Sequence, residues 1–325
     1  MSVRNDRTRR RFSSLADTKG SVDRGTSRRR FLQAAAVSLT AACVRRGAVR
    51  AEEKGAANRV IVGAHPWVYA ATQPKYDIYP ILDRIFADMR YAGLEGIELM
   101  HTALRPDDAI ERIAGLTKKH SLPVIGSSFG GAMWDRRQHE EIFEDAKLVV
   151  GRLAKLGGHT LGTSVGAVRG MKTPEQLDAQ AELLRKIIAL AKEHGVVLNL
   201  HNHTYEVEHN LHDLKGTLAR IPDVKLGPDL NWLVRGGVDP VEFLREHGSR
   251  IVFVHLRDQK ADGKWSEAMG EGAMDYAAIG KALRAIGFCG PAVIELAHEG
   301  GFQPTRPLRE SLKMSREFVR ETMGF

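Results

Sequence analysis

Four times in the last third of this chain, an apolar, strand-like run stops abruptly at side chains that bind metal ions. The runs VVLNLHNH, VKLGPD, IVFVH and AVIE end at His201 and His203, at Asp229, at His255 and at Glu295. Counted from His201, the ends are 28, 26 and 40 residues apart, enough each time for a helix and a return strand. Upstream, VIVGAHPW, GIELMH, PVIGSSF and HTLGTSV supply four more such runs. They are short and nearly all apolar, as parallel strands covered on both faces must be. Between them lie helix-period stretches, the clearest being TPEQLDAQAELLRKIIALAKEHG. There Thr173 is a good N-cap, Pro174 takes the first helical position, Gln176 completes a capping box and Gly195 ends the helix. Eight strands alternating with eight helices predict a closed parallel barrel, a single (β/α)8 TIM barrel of the α/β class. No Gly-rich turn of dinucleotide-binding spacing opens a helix.

The first 51 residues read as a leader, and the barrel is expected over 52–325. The leader carries 13 Lys/Arg against 3 Asp/Glu, which leaves 35 basic and 37 acidic residues in the body. The positive balance of the whole chain therefore belongs to the leader, and a nucleic-acid partner is not expected. Arg28, Arg29 and Arg30 stand just before the apolar stretch AAAVSLTAACV, a pattern that resembles a twin-arginine export signal. Val49 and Ala51 suit cleavage after residue 51, giving an exported, periplasmic protein with no stable membrane insertion once the leader is removed. Acylation of Cys43 as a lipoprotein is the weaker option, because Thr40 stands where an aliphatic residue is expected. Cys43 and Cys289 are the only cysteines, so no disulfide framework is expected and the core must hold the fold together.

A polar ligand placed where a buried strand meets its loop is how barrels of this kind build a site. Two histidines and two carboxylates there would suit one divalent ion, Mn²⁺, Zn²⁺, Co²⁺ or Fe²⁺, held by His201, Asp229, His255 and Glu295. Asp258 follows His255 closely and is placed to orient its imidazole. On strand five, His201 is the expected ligand, with His203 and Glu206 as neighbours that bind substrate or move protons; Glu206 is the alternative ligand. Glu295 is the expected base, or a ligand doubling as one. Trp67, Trp134, Trp232 and Trp265 each follow a candidate strand closely, and aromatic faces at a pocket mouth suit a sugar ring. Glu98, Arg257, His65 and His101 add polar groups at the same end, Glu98 and Arg257 among the expected substrate contacts.

From about residue 59 to 325 the chain resembles the xylose isomerase-like TIM barrels, which include sugar phosphate isomerases/epimerases and apurinic endonucleases. The resemblance lies in GIEL, HNHTYE, DLNWLVRGGVDP, RIVFVHLRD, the GEGAMDY stretch and IEL near the end. It implies a metal set of Glu, Asp, His and Glu from strands five to eight, and Asp229, His255 and Glu295 match the last three. His201 stands where the family commonly has glutamate, and Trp232 where epimerases and endonucleases carry histidine. KWSEAMGEG lacks the histidine that a three-metal endonuclease needs. The expected function is thus a metal-dependent isomerase/epimerase-type enzyme that removes a proton beside a carbonyl of a sugar or keto-sugar. A lyase or dehydratase acting on keto-sugars or their glycosides, and a non-catalytic exported sugar-binding barrel, are the alternatives. Hydrolysis would need a second acid near Glu295, for which Glu98, Glu206 and Glu299 are available. The expected partner is a small sugar, and a homo-oligomer is compatible with the reading.

Overall fold

A computed structural model describes residues 59–325; the expected leader lies outside them. Eight strands form one parallel sheet: β1 Val62–Ala64, β2 Gly96–Met100, β3 Val124–Gly130, β4 Thr160–Ser164, β5 Val197–Leu200, β6 Lys225–Leu226, β7 Val254–Leu256 and β8 Ala292–Ile294. Neighbours run in the order β6-β5-β4-β3-β2-β1-β8-β7. Parallel bridges Leu226↔Ile251 and Asp229↔His255 join β6 to β7 and close the ring. The eight runs read from the sequence are the eight strands. Strand six is the shortest because Gly227 and Pro228 end its pairing after two residues.

Outside the ring lie α1 Trp67–Ala70, α2 Leu82–Tyr91, α3 Ala109–His120, α4 His139–Lys155, α5 Pro174–Glu193, α6 Thr204–Arg220, α7 Leu230–Arg235, α8 Pro240–His247, α9 Tyr276–Ala285 and α10 Leu308–Phe318. The capping box of α5 forms as its sequence requires, with Thr173 Oγ1 accepting from Gln176 N and Gln176 Oε1 accepting from Thr173 N. Two helices exceed the expected eight. Both are short, and each follows a strand end: α1 begins at Trp67 and α7 contains Trp232.

The floor of the barrel is apolar, a small cluster of Ile125, Phe253 and Val293. Gly63 and Gly96 leave room for it: a Cβ on either would lie 2.6 or 2.4 Å from Ile125. Above the floor the lining turns polar, with Glu98 and Asn199 fully buried. That change of character along the barrel axis marks where chemistry begins. No helix among the described residues is long and apolar enough to cross a membrane.

Candidate active site and metal centre

His201, Asp229, His255 and Glu295 meet at the C-terminal ends of β5 to β8, with one ligand atom of each within 4.8 Å of all the others. Backbone pairing sets this convergence before any side chain is considered. Asp229 and His255 are bridge partners across β6 and β7. The Asn202 amide spans to the same aspartate, donating to its carbonyl at 3.3 Å and accepting from its N–H at 3.2 Å. One side chain thereby extends the β5–β6 ladder past the last strand pair and fixes His201 beside Asp229. Asn202→Ala should cost about 1–3 kcal/mol by leaving those buried groups unpaired; urea unfolding would measure it.

Asp229 divides its two oxygens between structure and chemistry. Oδ1 caps α7, accepting from Asn231 N and Trp232 N at 2.9 Å each. Oδ2 is buried with no hydrogen-bond donor, and Arg257 Nη2 stands 3.4 Å away. A buried carboxylate oxygen left free in this way is what a cation ligand requires. Burial raises the Asp229 carboxyl, opposed by Arg257 and reinforced by Glu295.

His255 presents its two nitrogens in opposite directions. Nε2 donates to Glu98 Oε2 at 2.5 Å, while Nδ1 faces the cluster, 3.1 Å from His201 Nδ1 and 3.3 Å from Glu295 Oε2. Carboxylate, imidazole and ligand position thus form the arrangement that fixes the ring of a metal-binding histidine. Glu98 is fully buried below the cluster, which corrects its expected place among the substrate contacts. It also takes the part expected of Asp258, whose carboxylate instead accepts from the N–H groups of Gln259, Gly270, Gly272 and Met274. A Cβ at Gly272 would lie 2.1 Å from Asp258 Oδ1, so the G-E-G turn can wrap this carboxylate only with glycine there. Burial lowers His255, but Glu98 and Glu295 lift it to about 9. His201 is held well below the usual histidine range by burial and then by His255.

Glu295 closes the ring of charge. Its Oε1 lies 3.1 Å from His65 Nδ1, and its Oε2 pairs with Arg257. Burial raises its carboxyl, yet Arg257, His255 and His65 together hold it well below the usual carboxylate range. It is therefore ionised. The donor set of two imidazoles and two carboxylates fits one divalent ion.

Above the cluster opens a cavity of about 680 Å³. Trp67, His101, His203, Trp232, Arg257 and Trp265 are among its lining, as are His65 and Glu295. Trp134 is not: its Nε1 donates to the Ala167 carbonyl at 3.1 Å, so three of the four tryptophans line the cavity. Glu206 is also turned away, which corrects its expected role as an alternative ligand or proton carrier facing substrate. Its carboxylate accepts from Ser164 Oγ, Val165 N and His203 N, capping α6 and steadying His203 from behind. Glu299 accepts from Trp265 N and Arg235. None of the three acids considered for hydrolysis lines the cavity, so that reading lacks its second carboxylate.

Some lining residues were not singled out in the sequence. Ser128 sits in β3 and Ser164 at the end of β4. Ser128 Oγ contacts His65 Nε2 at 3.1 Å, and Ser164 Oγ contacts Tyr205 Oη at 2.7 Å and His203 Nδ1 at 3.2 Å. The available signal was positional for Ser164, which closes β4, while Ser128 lies two residues before the end of β3. Serine at a strand end is too common to stand out.

Residues 86–318 match the family described as xylose isomerase-like TIM barrel. Among curated proteins, the inosose dehydratase of Geobacillus thermodenitrificans is 24% identical over 274 residues, covering 74% of this chain and 90% of that protein. Among solved structures, an L-ribulose 3-epimerase superposes with a TM-score of 0.67 at 23% identity, over 82% of this chain and 95% of that one. A 3-keto-D-glucoside 4-epimerase from E. coli superposes with a TM-score of 0.62 at 18% identity, over 80% of this chain and all of that one.

Proposed function

Because the chain belongs to the xylose isomerase-like TIM barrel family, we propose that it is a metal-dependent enzyme of the isomerase/epimerase type, acting on a neutral sugar or keto-sugar by removing a proton beside a carbonyl. The observation that carries this reading is the convergence of His201, Asp229, His255 and Glu295 at the base of a tryptophan-walled cavity. When bound there, a divalent cation such as Mn²⁺, Zn²⁺, Co²⁺ or Fe²⁺ supplies the Lewis acidity that makes such a proton easier to remove. Glu295 is the base, being ionised and at the cavity floor. His203 approaches from β5, on another wall, with its side chain 37% exposed. Burial lowers this imidazole, but the hydrogen bond and charge of Glu206 raise it overall. It is placed to return a proton to the substrate from a second direction. Trp232, 5.8 Å from the His203 ring, and Trp265 offer flat faces for the apolar side of a sugar.

The cavity also speaks to charge. Arg257 is the one Lys or Arg among its lining residues, and both Asp229 and Glu295 already engage it. A phosphate group would find no free cation there, which favours an unphosphorylated substrate.

Elimination is the second reading, supported by the similarity to inosose dehydratase and by histidine in place of the strand-five glutamate. In that outcome Glu295 takes the proton from the carbon beside the carbonyl, a C=C bond forms to the next carbon as the C–O bond on that carbon breaks, and protonated His203 gives its proton to the departing oxygen. Incubating the Mn²⁺- or Co²⁺-loaded protein with a panel of neutral keto-sugars in D₂O tests both outcomes at once. Deuterium next to the carbonyl, in product or recovered substrate, is expected. Turnover with every carbon-bound hydrogen retained would reject proton abstraction.

We infer further that residues 1–51 export the protein to the periplasm, supported by the paired arginines and the concentrated positive charge. Replacing Arg28 and Arg29 by lysine should leave the precursor in the cytoplasm, as cell fractionation would show. Unchanged export would refute it.

A further inference from the structure

We propose that the cavity mouth carries a second-ring subsite built from Trp67 and Tyr76, and that the substrate is a glycoside whose reacting sugar is joined to another flat ring. The proposal rests on the reading above that the reacting sugar lies over Glu295 and its neighbours.

Two aromatic pairs stand at different depths. The inner pair, Trp232 and Trp265, meets edge to face at 5.7 Å, and the Arg257 guanidinium lies 5.3 Å from both rings. That ties the pair to the cluster, because Arg257 also binds Asp229 and Glu295. The outer pair belongs to the loop that follows β1. His65, the residue after β1, touches Glu295, and its Nδ1 is 3.2 Å from the backbone nitrogen of Trp67. Trp67 therefore leaves the cluster within one hydrogen bond of His65 and lines the cavity. Its ring is stacked with Tyr76 at 5.4 Å and 16°.

Tyr76 is the unusual member. It is 55% exposed, so it contributes little to the core. Its backbone and that of Lys75 both adopt left-handed conformations, with φ of 58° and 56°. Consecutive left-handed residues that are not glycine are strained, and such strain gathers where a loop holds a side chain for a ligand. Trp67, half-buried, lines the cavity, and the exposed Tyr76 stacks against it beside the mouth, so the pair places an aromatic surface next to the site. One sugar ring over the cluster leaves much of a 680 Å³ cavity unfilled, and cavities of about 300–1,000 Å³ commonly hold drug-sized ligands. The shared chemistry required of the second ring is a flat apolar face, supplied either by an aryl aglycone or by another sugar.

Calorimetry on the Mn²⁺-loaded protein with methyl β-D-glucoside, phenyl β-D-glucoside and cellobiose tests this directly. The phenyl glucoside or cellobiose should bind up to about tenfold more tightly than the methyl glucoside, as expected for one added aromatic stack. Which of the two does so identifies the source of the second ring. Tyr76→Ala should bring that ratio close to one, and Tyr76→Phe should keep it. Equal affinities in the wild type, no binding of all three, or a ratio unmoved by Tyr76→Ala would overturn the proposal. None of these ligands carries a ketone, so their ratio is independent of proton transfer, and failure of the D₂O exchange would leave it standing.

Discussion

In D₂O, the Glu295→Gln variant is expected to exchange the carbon-bound proton of its keto-sugar about 10²–10⁴-fold more slowly than the wild type, the scale lost with a general base. Glutamine keeps an oxygen in the same place but cannot accept a proton there. The size of the effect follows from how the carboxylate is held. Burial alone would neutralise it, and only Arg257, His255 and His65 keep it charged. Removing that charge removes both the base and the counter-charge of three neighbours, so metal content must be measured on the same sample. A variant that retains its ion and loses exchange places the base at Glu295. Undiminished exchange would move the base elsewhere, with His203 the next residue to test.

The sequence revealed the strands and their ends more readily than the depth and direction of the side chains they carry. Every strand overlaps a run chosen for apolar character, β3 and β7 each passing its end by one residue, because parallel strands buried on both faces have few other compositions open to them. The four converging residues were legible for the same reason: a charged side chain ending an apolar run has few innocent explanations. Glu98 shows where this stops. It sits mid-strand in GIELM rather than at a strand end, and nothing local reveals that its partner is a histidine 157 residues away. Glu206 was misplaced although a signal existed. A glutamate at the third helical position is half of a capping box, but histidine rather than serine or threonine occupies the N-cap and hides the pattern. Trp134 failed differently, since proximity to a strand end does not determine which way a rim loop turns its ring. Arg257 was expected to touch substrate, and the cavity does reach it. Its pairing with two carboxylates from different strands depends on ring closure between β6 and β7, which spacing cannot convey.

His255→Ala is expected to do two things that a simple loss of a ligand would not do together. It should abolish stoichiometric metal binding, because the remaining three donors no longer enclose the ion. It should also destabilise the fold, although residues at the active end of a barrel are usually tolerant. The cause is Glu98. With the imidazole gone, Oε2 loses its hydrogen-bond donor, and Oε1 already has none, so a fully buried carboxylate is left alone. Removing one partner of a buried pair costs about 3–5 kcal/mol, which for a domain of this size lowers the midpoint of thermal unfolding by about 10 °C. Adding Glu98→Leu to His255→Ala should recover much of that stability without restoring the metal, since the stranded charge is then gone while the ligand is still missing. Glu98→Gln alone should keep the fold and weaken metal affinity about 10–100-fold by loosening the orientation of the ring. Thermal unfolding and metal titration on the three variants separate these effects. If His255→Ala proved as stable as the wild type, Glu98 would not be the buried partner that the geometry describes.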